Sequence, residues 1–111
     1  MNLGISENNK VVVMSVDGSI LQDNIALFQN RLSELMENGQ IRIVINMHGS
    51  TYISSMGLAA IIEAKLQLER KNGDIRLACV NTLIRNLLET TQLIKKLRVF
   101  DSIEDAVKSF E

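Results

Sequence analysis

The sequence predicts an α/β domain: a mostly parallel mixed sheet of about four to five strands, flanked by about four to five helices. Three observations carry that expectation. Apolar runs of strand length alternate with stretches whose apolar residues recur every three or four positions. The connections between them are short, and no proline interrupts the chain. With 111 residues, 46% of them hydrophobic, the chain suits one domain over residues 1–111 and is too short for two.

The run Val11, Val12, Val13, Met14 and Val16 reads as a strand over residues 10–16, ended by the turn pair Asp17-Gly18. Residues 3–6 read as a shorter partner, joined to it through Glu7-Asn8-Asn9 in a hairpin. From Asp23 the period changes: Ile25, Phe28, Leu32, Leu35 and Met36 share one helix face. Asp23 or Asn24 can cap its start, and Gly39 stands where a left-handed C-terminal residue is wanted. Ile41, Ile43, Val44, Ile45 and Met47 form a nearly unbroken apolar stretch, the pattern of a central strand covered on both faces by helices. His48-Gly49-Ser50-Thr51 is polar and turn-like, with His48 an exposed loop residue. After Tyr52-Ile53 a helix begins, with Leu58, Ile61, Ile62 and Leu66 on its apolar face and Asn72-Gly73 as its stop. Residues 75–80 form another strand, with Cys79 as a small apolar member. Leu83, Ile84, Leu87 and Leu88 mark a helix capped by Asn81 or Thr82, and residues 97–100 a short strand. Ser102, with Asp105 three positions on, resembles a capping box with a shorter acid. It opens a last helix whose apolar face is Ile103, Ala106, Val107 and Phe110.

Twelve basic against thirteen acidic side chains give a formal net charge of −1, so no strong field attracts nucleic acid or an anionic membrane. Lys95, Lys96 and Arg98 cluster without interleaved aromatics and read as a solvated face. No apolar run approaches the roughly 20 residues that span a bilayer. The first ten residues lack the order of a secretory signal, and the lone Cys79 has no disulfide partner, which together point to the cytoplasm.

The inventory of chemistry is short. His48 and Cys79 are each the only residue of their type, so no metal-ligand set is present. There is no Gly-x-Ser-x-Gly elbow, and the six glycines form no phosphate-cradling loop. No cofactor is expected, and a small enzyme or nucleotide-binding domain is disfavoured for want of a base, a metal set or a phosphate loop.

One segment stands apart, Tyr52-Ile53-Ser54-Ser55-Met56-Gly57-Leu58. It lies where the central strand turns into the next helix, the position at which α/β folds place their sites. Ser54 or Ser55 can serve simply as the helix N-cap. The same helix start also carries partial positive charge and unpaired amides, which accept an anion well. A phosphoserine there would add about −1.5 to −2 charge without unfolding the domain, and would change the surface seen by a partner.

At these residues the sequence resembles the STAS domain, specifically the bacterial anti-sigma factor antagonists. The resemblance covers nearly the whole chain, including Gly18, Ile45-Asn46-Met47, the segment 52–58 and Gly73-Asp74-Ile75. The family pattern at the loop is aromatic, aliphatic, Asp, Ser, Ser or Thr, Gly, Leu. Carried onto this chain, it places the phosphoacceptor on Ser55, gives Gly57 the tight helix start, and puts Tyr52 and Ile53 in buried positions. Ser54 replaces the family's acid and is a possible alternate hydroxyl; Met56 replaces its second hydroxyl. Near Leu21, where many relatives carry Asp, this chain is apolar.

The resemblance implies an anti-sigma factor antagonist. Unphosphorylated, it binds an anti-sigma factor that is also a serine kinase; phosphorylated, it lets go, and a metal-dependent serine phosphatase resets it. ATP and magnesium belong to the kinase. The contact surface is expected over residues 49–55 and the exposed side of residues 56–70, with Thr51, Ser54, Ser55, Met56 and Glu63 as contacts. Glu63, Gln67 and Arg70 repeat at helical spacing and face outward. The chain itself is expected as a monomer or weak dimer. The alternative is an unphosphorylated STAS scaffold or accessory subunit of a transporter or signalling complex, motivated by Ser54 in place of the acid.

Overall fold

In the computed structural model, which describes residues 1–111, five strands make one sheet in the order β1-β2-β3-β4-β5. They are β1 (Asn2–Asn8), β2 (Val11–Asp17), β3 (Arg42–Gly49), β4 (Asp74–Ala78) and β5 (Val99–Phe100). Only the β1–β2 pair is antiparallel. The helices are α1 (Ile25–Glu37), α2 (Ser55–Glu69), α3 (Thr82–Thr90) and α4 (Ile103–Lys108), with a short 3-10 turn at Leu93–Lys95. The expected mixed α/β sheet is therefore present, with β3 in its middle.

Crossovers of one hand that step through a sheet in one direction put every connecting helix on the same face. Accordingly Phe28 and Leu32 of α1, Leu58, Ile61 and Leu68 of α2, and Ile84 and Leu88 of α3 pack on Met14, Ile43, Ile45, Met47, Ile75 and Leu77. The opposite face is covered by α4, whose Ala106 and Val107 meet Val11, Val13, Val44 and Ala78. Alternate residues of β3 thus enter different cores, which explains its continuous apolar run.

The hairpin connection is shorter than the sequence suggests. Asn8 pairs with Val11, so the turn is Asn9-Lys10, both at positive φ (54° and 66°). A two-residue turn with both central residues left-handed matches the twist of the flanking strands, so Glu7 and Asn8 stay in β1 and Lys10 leaves β2.

Helix ends decide several positions. Gly39 (φ 83°) donates to the Met36 carbonyl and Gln40 to that of Leu35, closing α1 with the left-handed residue expected there. At the end of α2 the left-handed residue is Asn72 (φ 62°), not Gly73. Gly73 is required for proximity: a Cβ on it would lie 2.1 Å from the Ile41 carbonyl oxygen. Asn24 precedes α1 but makes no cap bond. Its Oδ1 accepts from the Leu21 amide at 2.8 Å and its Nδ2 donates to the Ser19 carbonyl at 2.9 Å, which fixes the β2–α1 loop instead. Ser102 accepts from the Asp105 amide at 3.0 Å, as a capping residue should.

Three expectations about burial and placement are corrected. Leu66 is exposed, and the buried stripe of α2 continues through Ala64 and Leu68. Leu66 is five residues past Ile61, which rotates it about 140° around the helix, away from the sheet. Cys79 lies beyond β4 with φ 62°, where the chain leaves the sheet to start α3. His48 is exposed as expected but belongs to the end of β3 rather than a loop.

Asp74 ties the layers together at the start of β4. It accepts from Lys65 of α2, from Arg76 Nε at 3.0 Å and from the Ile75 amide at 2.9 Å. Arg76 Nη1 in turn donates to the Ser109 carbonyl at 2.7 Å, and its guanidinium lies 3.9 Å from the Phe110 ring centre. Burial alone would push the Asp74 carboxyl up; the bonds from Lys65, Arg76 and Ile75 outweigh it and hold the group below its usual 3.8.

Candidate functional site

The β3–α2 loop is built as an extension of the sheet. Just past Gly49, Ser50 is only 2% exposed and donates from Oγ to the Val16 carbonyl at 3.1 Å. The chain then runs parallel to the β2–α1 loop. The Ile20 amide donates to the Tyr52 carbonyl at 3.0 Å and the Ser54 amide to the Ile20 carbonyl at 2.8 Å, forming a bridge between Ile20 and Ile53. Both isoleucines are fully buried. The hydroxyls of Ser19 and Thr51 share a hydrogen bond of 2.6 Å. From the other side Asn81 Nδ2 donates to the carbonyls of Thr51 and Ser50.

Ser54 is the N-cap of α2: extended at φ −75°, ψ 166°, it accepts from the Gly57 amide through Oγ at 3.2 Å. Ser55 is the first helical residue, exposed, and its hydroxyl makes no hydrogen bond within the chain. The amides of Ser55 and Met56 are among those left without an intrahelical acceptor. Glycine is needed at 57 because a Cβ there would sit 2.6 Å from Ile53 Cγ1 and 2.9 Å from Ile20 Cγ2. The two adjacent serines therefore have different surroundings: one holds the helix start, the other faces solvent beside its positive end.

Most of the residues singled out in the sequence converge here. Thr51, Tyr52, Ser54, Ser55, Met56 and Gly57 are contiguous at the carboxyl end of the sheet. Tyr52 is corrected: it is 40% exposed rather than buried. Side chains alternate along extended backbone, so with Ile53 pointing inward Tyr52 points out. Glu63 is exposed but lies two turns along α2, in the groove against α1 lined by Gln29, Ser33 and Gln67. Gln67 and Arg70 also face outward. Sequence reading missed Ser19 and the loop-holding half of Asn81, and its contact surface over residues 49–55 included Ser50, which the structure buries; the cap signal at Asn81 was visible, its distant carbonyl acceptors were not. No three His, Cys, Asp or Glu side chains are grouped to hold a metal, and no helix is long and apolar enough to cross a membrane.

The STAS domain family model matches residues 2–106. The chain belongs to the STAS domain family. Among curated relatives, the proposed anti-sigma factor antagonist BtrV of Bordetella bronchiseptica is 22% identical over 111 residues, covering 100% of this chain and 96% of the relative. Among solved structures, a proposed anti-sigma factor antagonist of Thermotoga maritima superposes with a TM-score of 0.91 at 19% identity, over 96% of this chain and 92% of that one. The Bacillus cell fate determinant SpoIIAA in its phosphorylated form superposes with a TM-score of 0.76 at 15% identity, over 99% and 100%. It is also solved unphosphorylated.

Within this STAS domain Ser54 at the N-cap has a clear local outcome. A serine at the N-cap accepts one first-turn amide, as a carboxylate would, but leaves the helix start without a negative charge. Met56 stands exposed on the other side, so Ser55 is flanked by one capping group and one apolar side chain.

Proposed function

We propose that this STAS domain is a cytoplasmic anti-sigma factor antagonist whose binding is switched by phosphorylation of Ser55. The observation that supports it best is the division between the two serines: the Ser54 hydroxyl is held by the cap, and the Ser55 hydroxyl is exposed and unengaged. Unphosphorylated, the loop and the exposed side of α2 engage an anti-sigma factor that is also a serine kinase. The kinase brings ATP and magnesium; this chain is its substrate and ligand, not an enzyme. A phosphate on Ser55 meets the unpaired amides of α2, so the core tolerates it, while the partner meets a bulky hydrated dianion. A serine phosphatase removes it. Ser54 is the alternate hydroxyl, and modifying it requires giving up the cap.

The test combines the protein with the purified histidine-kinase-like anti-sigma factor of its source organism and ATP, and reads intact mass. One phosphate on the wild type and none on Ser55→Ala is expected. Equal phosphate on both removes Ser55 from the mechanism, and none on either favours a scaffold role.

A further inference from the structure

Charged side chains make up 23% of the chain, yet residues 43–62 contain no Asp, Glu, Lys or Arg, and neither do residues 18–22 or 78–84. The fold gathers the ends of these three stretches at one place, the carboxyl end of the sheet. The Ile20–Ile53 bridge joins the first to the second, and the Asn81 amide joins the second to the third. Within the area so formed, four large apolar side chains are exposed: Leu21 (39%), Tyr52 (40%), Met56 (45%) and Leu83 (55%). Charges resume at its border, with Asp17, Asp23, Glu63 and Arg85.

Depletion of charge at the centre, with Tyr and Met present and charges at the rim, is the composition of a protein interface core. We infer that this end of the domain docks against an uncharged apolar surface of the partner kinase, with Leu21, Tyr52 and Met56 as anchors around Ser55. This rests on the reading of Ser55 given above. A basic partner surface has no carboxylate at this centre to pair with, and an acidic one finds no cationic side chain but only the first amides of α2, so the desolvation of either would go largely uncompensated. Release by phosphorylation then works through desolvation. The phosphate is the one charge at the centre of the contact, and burying it against an uncharged apolar surface that offers no cation to pair with it is unfavourable.

The experiment uses the purified anti-sigma kinase that modifies Ser55, loaded with ADP, and measures Kd by calorimetry. Across about 50 to 500 mM NaCl the wild-type Kd should change less than about twofold, because screening acts only on charged contacts. Tyr52→Ala and Leu21→Asp should each weaken binding about tenfold or more, the size of an interface anchor. The border changes Asp17→Asn and Asp23→Asn should leave Kd within about twofold, as rim charges do. A wild-type Kd that weakens about tenfold or more with salt overturns the uncharged contact while leaving the Ser55 switch standing. If no kinase modifies Ser55, the switch fails, and this inference fails with it.

Discussion

Asn81 holds Thr51 across the gap between two helix starts: its Nδ2 donates to the Thr51 carbonyl at 3.1 Å while its Oδ1 accepts from the Ile84 amide at 2.8 Å. One side chain therefore caps α3 and fastens the loop that carries Ser55. Replacing it tests both roles. Asn81→Ala should cost about 2 kcal/mol, roughly one for the cap and one for the bonds to the loop. Asn81→Asp keeps the cap but turns a carboxylate toward two carbonyls, so the loop bonds are lost and the stability does not return to wild type. Urea unfolding of the three proteins measures the order.

The serine pair should show opposite phenotypes. Ser54→Ala removes the cap bond to Gly57 and should lower stability by about 1 kcal/mol. Ser55→Ala touches an exposed hydroxyl without a partner and should stay within about 0.5 kcal/mol of wild type. Phosphorylation should behave inversely, retained in Ser54→Ala and abolished in Ser55→Ala. Thermal melts and intact mass on the same samples decide it.

Two glycines should differ in what an added methyl meets. In Gly57→Ala the clash is with side-chain carbons of Ile53 and Ile20, at a cost of about 1–3 kcal/mol as they shift. In Gly73→Ala it is with the Ile41 carbonyl oxygen, which also accepts the Asp74 amide and cannot move aside. Gly73→Ala should be the more destabilising of the two in a denaturant titration.

The Asp74 network gives an acid dependence of defined sign. Its carboxyl is held below 3.8 in the folded protein, so the stability it contributes is fully present above 3.8 and is lost as the pH falls through the folded value. Asp74→Asn leaves Lys65 and Arg76 without their carboxylate and should cost about 2 kcal/mol at neutral pH. The variant should also show a shallower loss of stability on acidification than wild type, read from unfolding curves taken at successive pH values.

The sheet and its helices were legible because their signals are local. Strand runs such as Val11–Val13, the helical spacing of Phe28 and Leu32, and the caps at Asn81 and Ser102 are written within a few residues. The helix start at the candidate site was legible for the same reason, since a serine pair before Gly57 marks it. What the sequence did not reveal depends on distant partners. Tyr52 turns outward because Ile53 pairs with Ile20, and Ser50 is buried because Val16 offers it a carbonyl. Leu66 is apolar yet exposed, and only the direction of α2 against the sheet separates it from Leu68.

The bridge between Ile20 and Ile53 means that the surface around the serine pair is shaped jointly by two stretches of chain far apart in sequence. Grafting the serine segment alone into a relative would carry over the proposed phosphoacceptor but not the shape around it. Transfer of that shape requires both strips together, since the Ile20 backbone bonds to Tyr52 and Ser54.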